Sequence, residues 1–442
     1  MSRYEKYPAY RDSGVEWIGE IPGHWECIKI KHLSQVQRGA SPRPIDDQKY
    51  FDDEGEYSWV RISDVTASNK YLECTEQRLS EIGKTLSIPL QPGQLFLSIA
   101  GSVGKPIITK INCCIHDGFV YFPYLKECTD FLYYIFTSGQ PFLGLGKMGT
   151  QLNLNTDTVG SISIPVPPLE EQQAIASFLD RKTAEIDELI TKKEDLLKKL
   201  DEKRTALITR TVTKGLDPSA PMKESGVEWL GEIPKHWEVK QTRLIFKIFS
   251  GSTPRSSEEL FWDGDIVWFT PEDLGNNQQK NISESRRKIT EEGYNSCGTS
   301  LAKSNSVVLS TRAPIGHFAI STVPACCNQG CRILEPENGI PEYWYYTLLS
   351  AKPILHCLGQ GSTFMELPRQ SLAGFKLPVP PLQEQQAIAE HIEKSTAPID
   401  HQKAQVTEAI ERLKEYRSAL ITDAVTGKMN VQLHETKESL SA

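Results

Sequence analysis

Arginine, lysine and carboxamide side chains gather in the turn segments of this chain. Arg38, Arg43, Arg61, Lys105 and Lys147 lie in such segments of the first half, and Arg255, Arg286, Arg287, Lys288, Arg312 and Arg369 in those of the second. A guanidinium can pair its N–H fork with O6 and N7 of guanine, and a carboxamide can pair in the same bidentate way with adenine. That adds Gln151, Asn153, Gln360 and Gln370 to the candidate set. One exposed charge alone reads as solvated surface. Position favours a binding role, because loops carried on a rigid scaffold are where recognition sits.

Bond-breaking chemistry is poorly represented. Gly144-Leu-Gly-Lys-Met-Gly149 matches the dinucleotide fingerprint letter for letter. That loop, however, needs a strand before it and a helix after it. Here an aromatic helical run precedes it, and Gln151-Leu-Asn-Leu-Asn155 leads towards a proline-rich strand. Its counterpart, Gly359-Gln-Gly-Ser-Thr363, lacks the third glycine, so a glycine-rich surface loop is expected. Glu238-Val-Lys240 is a fragment of a nuclease cluster, but its twin reads Glu26-Cys-Ile28. There is no Walker lysine loop, no His-Glu-x-x-His and no Asn/Asp-Pro-Pro-aromatic loop for a flipped base. His24-Trp25 and His236-Trp237 stand beside paired Ile-Pro and read as packing signatures. Cys326, Cys327 and Cys331, with His317 nearby, face only Cys113-Cys114 in the other half, so buried free thiols are expected rather than a metal site. The expectation is no catalytic residue and no metal ligand.

The chain has 442 residues, 39% hydrophobic and 24% charged, a globular balance. That length suggests about three or four structural units. The formal net charge of −8 excludes a protein that grips polyanions through bulk positive charge, though not one with local basic patches. No apolar run approaches the roughly 18 residues of a membrane span. The start, Met-Ser-Arg-Tyr-Glu-Lys-Tyr, lacks the apolar stretch of a secretion signal. A soluble, cytoplasmic protein with no membrane partner is expected. Ten cysteines without a Cys-x-x-Cys indicate neither a disulfide scaffold nor a zinc ribbon.

Internal repetition is the strongest organisational signal. Ser13-Gly-Val-Glu-Trp-Ile-Gly-Glu-Ile-Pro-Gly-His-Trp-Glu26 returns as Ser225-Gly-Val-Glu-Trp-Leu-Gly-Glu-Ile-Pro-Lys-His-Trp-Glu238. Pro165-Val-Pro-Pro-Leu-Glu-Glu-Gln-Gln-Ala-Ile-Ala176 returns as Pro378-Val-Pro-Pro-Leu-Gln-Glu-Gln-Gln-Ala-Ile-Ala389, and Arg204-Thr-Ala-Leu-Ile-Thr209 as Arg417-Ser-Ala-Leu-Ile-Thr422. Between these anchors the halves diverge over a common skeleton: Gly39-Ala-Ser-Pro-Arg43 faces Gly251-Ser-Thr-Pro-Arg255, and Trp59 faces Trp268. Two domains of one fold with different surfaces follow.

Each middle region reads as mixed α/β (α+β). Leu95–Ile99 and Ser306–Ser310 predict apolar strands running into turns, with Pro106–Thr109 and Phe318–Ser321 as the returning strands. The aromatic runs Phe131–Phe136 and Tyr343–Leu349 predict core helices. From about Glu170 to Thr213 there is neither glycine nor proline, with Pro167-Pro168 before and Gly215 beyond, which are helix start and stop signals. Ile175, Leu179, Ile186, Leu189, Leu196, Leu200 and Leu207 step by about three and four, with polar gaps at Lys182, Lys193 and Lys203. Ile392, Ile399, Val406, Leu413 and Leu420 recur every seven, a coiled-coil seam that Pro398 should kink or divide. Forty or so helical residues make a rod of roughly 60 Å. Connectivity predicts an antiparallel helix pair with a pseudo-twofold axis across it, bringing the end of the second helix beside the Trp17 segment.

The repeated Pro-Val-Pro-Pro-Leu-x-Glu-Gln-Gln-Ala-Ile-Ala and Arg-x-Ala-Leu-Ile-Thr, framing helices over Pro165–Thr213 and Pro378–Thr426, resemble the specificity subunit of type I restriction–modification systems over nearly the whole chain. The resemblance implies target-recognition domains at 1–165 and 216–378, helical spacers at 166–215 and 379–430, and a tail at 431–442. It implies that each domain reads one half of a split double-stranded DNA target, while the helices set the gap and dock methylation subunits. S-adenosylmethionine, ATP and Mg would then belong to methylation and restriction/translocase partners, with no cofactor on this chain. A non-catalytic adaptor with two protein- or sugar-binding domains on a rod, and a single-chain enzyme, are the competing classes.

Overall fold

The structure, a computed structural model, describes residues 5–145, 154–312, 314–361 and 365–433. Its contacts divide the chain into two units, Met1–Glu194 with Glu408–Ala442, and Asp195–Thr407.

In the first unit a five-stranded sheet has the order Gln37–Arg38, Phe119–Tyr121, Leu95–Ser98, Pro106–Thr109, Tyr71–Leu72. Neighbours are antiparallel except the last pair, which is parallel. A four-stranded companion runs Gln77–Leu79, Tyr57–Val60, Cys113–Ile115, Ile88–Leu90, with its central pair parallel. The second unit repeats the plan. Its larger sheet is Phe246–Ser250, Cys331–Pro336, Ser306–Ser310, Phe318–Ser321, Asn281–Ile282, and its smaller one Lys288–Ile289, Trp262–Phe269, Ala325–Cys327.

This is the mixed α/β class expected. Leu95–Ser98 is buried at every residue because both faces of its sheet are covered, which is why the strand reads as a continuous apolar run. Leu95, Leu97 and Ile108 face the core shared with the aromatic helix Thr129–Thr137, whereas Phe96, Ile107 and Phe119 pack with Val60 and Ile115 of the smaller sheet. That helix buries Phe131 through Phe136, and Pro341–Ser350 plays the same part in the second unit.

The two spacer helices span Leu169–Lys214 and Leu382–Val425, and each contributes to both units. Ile175, Leu179, Ile186 and Leu200 are buried on the first, with Leu207 half-buried; Ile392, Ile399, Val406 and Leu420 are buried on the second, with Leu413 half-buried. Between Ile186 and Leu200 the inward positions are Ile190, Lys193 and Leu197. Leu189 and Leu196 are instead 42% and 37% exposed, so the expected stripe is out of phase there. A strict seven-residue count puts Lys193, taken as a polar gap, on the inner face, where its alkyl stem can lie along apolar surface. Nor does Pro398 divide the second helix, which is continuous across it. Thr396 and Ile399 are buried on either side, and tertiary packing outweighs one missing N–H donor.

Polar ties fix the helix direction. In the second unit Arg204 Nε donates to Asp400 at 2.8 Å. Stepping back from Arg204 to Asp201 moves the partner forward from Asp400 to Lys403, so the helices run antiparallel. In the first unit the equivalent Arg417 holds Asp187 through two bonds of 2.9 and 3.1 Å.

The repeated motifs meet where each spacer helix begins. His24 Nε2 lies 2.9 Å from Glu171, whose other oxygen accepts from the Tyr7 hydroxyl. His236 Nε2 lies 2.8 Å from Glu384, to which Trp237 Nε1 also donates at 3.0 Å. The following glutamines cap the aromatic helices: Gln172 accepts from the Cys128 N–H at 2.9 Å, and Gln385 from the Ile340 N–H at 3.0 Å. The histidines and tryptophans are thus parts of a joint, consistent with packing signatures. Gly215 and Gly427 follow the helix ends with φ of 71° and 73°, a left-handed conformation that suits glycine. Gly215 sits against Trp237 in the second unit, and Gly427 against Pro22 and Trp25 in the first. The Asn430 N–H then bonds Glu5 O at 2.8 Å, so the late segment of the chain completes the first unit.

The phase of the seam is testable by denaturation. Leu413→Asp should cost about 2 kcal/mol by desolvating a carboxylate without a partner, whereas Leu196→Asp should stay within about 0.5 kcal/mol. The opposite ranking would contradict this helix face.

Candidate nucleic-acid interface

Parallel pairing of Tyr57–Val60 with Cys113–Ile115 sends both strands out along one edge of the smaller sheet. The turn His116-Asp117-Gly118 crosses from there into Phe119–Tyr121 of the larger sheet, and Gly39 and Ala40 bond to Phe119 O and Ile115 O beside it. Thr66 and Ser102 hydroxyls, 3.0 Å apart, join the short helix Ile62–Ala67 to the Ile99–Lys105 turn. Turns that are distant in sequence therefore share one edge. The second unit brings together the turns after Ser250, Phe269, Ser310 and Cys327 by the same pairing. A Cβ on Gly39 would lie 2.2 Å from His116 O, and one on Gly251 1.9 Å from Asn328 O, which explains the glycine that opens both Gly-x-x-Pro-Arg segments.

On the first edge Asp117 is the organiser. Its backbone carbonyl accepts from Arg38 Nε at 2.5 Å, and its carboxylate accepts from Ser41 Oγ at 2.9 Å and Arg43 at 3.1 Å. Burial alone would raise its pKa, but the Ser41 bond with Arg38, Arg43 and His116 holds it below the ordinary value. Burial pushes His116 below the usual imidazole range; Asp117 opposes this, while Arg38 and Arg61 add to it. The Gly118 N–H donates to His116 Nδ1 at 2.8 Å, a bond that needs the neutral ring. Arg61 is exposed at the start of its helix, with its backbone N–H on Asp64 at 2.7 Å. Lys105 is less available. Its ammonium bonds Thr66 O at 3.1 Å and Ser68 O at 2.6 Å, closing the helix end. Lys147, Gln151 and Asn153 lie outside the described residues.

The second edge keeps the frame and changes the groups. Thr253 bonds the Gln329 side chain as Ser41 bonds Asp117. Arg255 is exposed, with its carbonyl accepting from Trp262 Nε1 at 3.2 Å. Arg286 pairs with Glu272 at 2.7 Å, and Arg312 with Glu366 at 2.9 Å. Arg287 stacks on Trp262, 3.5 Å from the ring centroid, and Lys288 lies on a strand beside Val267. Both are committed to the sheet more than to the rim. Gln360 pairs through its backbone with Glu366, while Arg369 and Gln370 are exposed on the helix Arg369–Gly374. Thr270, Glu272, Asn276, Arg286, His317 and Asn328 line an open cleft of about 610 Å³.

Sequence reading missed Arg332, His116, Asp117, Asn328 and Gln329. Arg332 donates to Gln329 O at 3.0 Å, as Arg38 donates to Asp117 O. The two arginines start from opposite members of an equivalent strand pair: Arg38 faces Val120, whereas Ser250 faces Arg332. Only the register of those strands exposes this exchange; no local motif carries it. Cys113, Cys114, Cys326, Cys327 and Cys331 are buried, and burial pushes the Cys326 thiol up to about 12. Among the described residues no group of His, Cys, Asp and Glu is arranged to hold a metal, and no helix is long and apolar enough to cross a membrane.

A family model for the type I restriction modification DNA specificity domain matches the chain twice, over residues 22–199 and 234–412. The chain is similar to the putative type I restriction enzyme MjaX specificity subunit of Methanocaldococcus jannaschii, 26% identical over 440 residues, covering 94% of this chain and 96% of that protein. A shorter match, 38% identical over 163 residues, relates it to the MjaIX specificity subunit of the same organism, covering 36% of this chain and 38% of that one. In fold it is similar to a chain solved in work on complex assembly and conformational transition of the type I R-M system. There the TM-score is 0.71 at 16% identity, over 92% of this chain and 98% of that one.

His116 gives this edge a pH signature. Its folded pKa lies below the unfolded value of about 6.5, so on acidification the folded state takes up fewer protons than the unfolded state. Stability present above that value is then lost as pH falls towards the folded pKa. Unfolding free energies measured at about pH 7 and pH 5.5 should fall less in His116→Asn than in the parent; an equal fall contradicts the assignment.

Proposed function

We propose that this chain, which belongs to the type I restriction–modification DNA specificity family, reads a split DNA target with one globular domain per half and sets the gap through its spacer helices. The carrying observation is the pair of equivalent sheet edges whose frames agree while their side chains differ, Asp117 and His116 on one and Gln329 and Asn328 on the other. One backbone geometry offering two sets of donors and acceptors suits two different base sequences.

The electrostatics support reading more than gripping. Arg43, Arg286 and Arg312 each have a carboxylate partner, which orients the guanidinium before contact. Base edges or phosphates would replace those carboxylates as ligands. Arg38, Arg43, Arg61, Arg255, Arg286, Arg312 and Arg369 are the residues we assign to this role, with Gln360 and Gln370 as carboxamide readers. The net charge of −8 supports leaving much of the phosphate contact to partner subunits. We further assign methylation subunits to the helical frame, and S-adenosylmethionine, ATP and Mg chemistry to those and the restriction subunits. Half-sites about one turn of duplex apart lie roughly 34–36 Å centre to centre, within reach of helices this long.

Two experiments test the division of roles, both read by sequencing methylated DNA. Replacing residues 226–378 with the corresponding segment of a relative should change one half of the target and leave the other; a change in both halves would falsify the assignment. Inserting four residues after Glu194 and after Thr407 adds about one turn, roughly 6 Å, to each helix. The gap should lengthen by about two base pairs with both halves retained, and an unchanged gap sinks the spacing role.

A further inference from the structure

In each unit one lysine joins the edge strand of the larger sheet to a spacer helix. Lys70 precedes Tyr71–Leu72, and Lys280 precedes Asn281–Ile282, each the outermost strand of its sheet. Their backbones are held alike: the Ile108 N–H bonds Lys70 O at 3.1 Å, and the Ile320 N–H bonds Lys280 O at 2.9 Å. Their side chains leave the sheet. Lys70 Nζ lies 2.5 Å from Asp180 of the first spacer helix and 2.6 Å from Asp130 of the aromatic helix. The rings of Tyr71, Tyr133 and Tyr134 surround it at 5.0 to 5.4 Å. Lys280 Nζ pairs with Glu393 of the second spacer helix.

Asp180 and Glu393 occupy equivalent places in the two helical repeats, yet they differ in type, and neither lysine lies in a repeated motif. Both tethers therefore use a lysine and a helix carboxylate, with Asp in one and Glu in the other. The tether also leads to the candidate interface. The short helices Ile62–Ala67 and Pro271–Asn276 end just before the lysines, and their first turns hold Asp64 against the Arg61 backbone and Glu272 against Arg286. Each lysine therefore connects spacer helix, edge strand and a helix that starts at the reading edge.

We propose that Lys280 with Glu393, and Lys70 with Asp130 and Asp180, are positioning residues that fix the angle at which each reading edge is presented by its spacer helix, and so sharpen the accepted gap between half-sites. This rests on the split-target reading above. The lysines touch no base. Burial disfavours the charged form of Lys70, but Asp130 and Asp180 outweigh it and hold the amine above its ordinary range, so the tether stays charged at neutral pH.

The Lys280 pair is the better test, since both groups are partly exposed, at 26% and 46%, and its loss should leave the fold intact. Full-length chain, assembled with its methylation and restriction partners, is offered a set of duplexes with identical half-sites and gaps varied one base pair at a time. Lys280→Glu and Glu393→Lys should each cut the preference for the native gap by about threefold, the scale of one exposed ion pair, while the bases read stay the same. The exchanged double variant, Lys280→Glu with Glu393→Lys, should restore the preference. Unchanged gap preference in the single variants overturns the proposal, as does an equal loss at every gap that the double variant fails to rescue. If the parent methylates without regard to any gap, the split-target reading itself falls.

Discussion

A carboxylate at the start of each spacer helix holds the rest of the structure in order. Glu171 is almost fully buried, and burying a carboxylate is costly unless it is hydrogen-bonded. His24 and Tyr7 satisfy it in the first unit; His236 and Trp237 satisfy Glu384 in the second. Each bond joins the segment that opens a globular domain to the helix that leaves it. The next residue, Gln172 or Gln385, extends the joint by capping the aromatic helix. Two repeated motifs that lie far apart in sequence are thus one object in space. Their repetition in both halves follows from the need to pair the carboxylate placed there.

Around this joint the halves are free to differ. Strand order, parallel pairing and close glycine contacts fix where the turns emerge. Nothing in those constraints dictates what Asp117, Gln329, Arg38 or Arg332 must be, beyond their ability to reach the turn between the sheets. The exchange of an arginine between facing strands shows this freedom plainly: one guanidinium reaches the same turn carbonyl from either side. Different groups can then stand on the rim without disturbing the core or the helical frame. Carboxylates beside Arg43, Arg286 and Arg312 offset the positive charge of the rim, in keeping with the acidic balance of the whole chain.

Much of the architecture was legible in the sequence because it is periodic or repeated. The matching segments announced two copies, the glycine- and proline-free stretch announced the first helix and the sevenfold seam the second, and the largely buried runs Phe131–Phe136 and Tyr343–Leu349 read as core. What depends on packing across the chain was harder. Leu189 and Leu196 are apolar and suitably spaced by eye, but a strict heptad turns them outward. Pro398 breaks a local rule that the seam overrides. The candidate interface was half visible. Arg38, Arg43, Arg255, Arg286 and Arg312 stood out as charges in turns, whereas His116, Asp117, Asn328 and Arg332 become conspicuous only when strand register sets them side by side. Lys70 and Lys280 carried no local signal, since their spacer-helix partners are more than a hundred residues away.

Mapping every methylated base in the genome of a host carrying this chain and its partners tests the two-domain reading most directly. Two short defined sequences, separated by a constant number of unspecified bases and lost when the chain is deleted, are expected. A single uninterrupted sequence, or a methylation pattern indifferent to the chain, would contradict it.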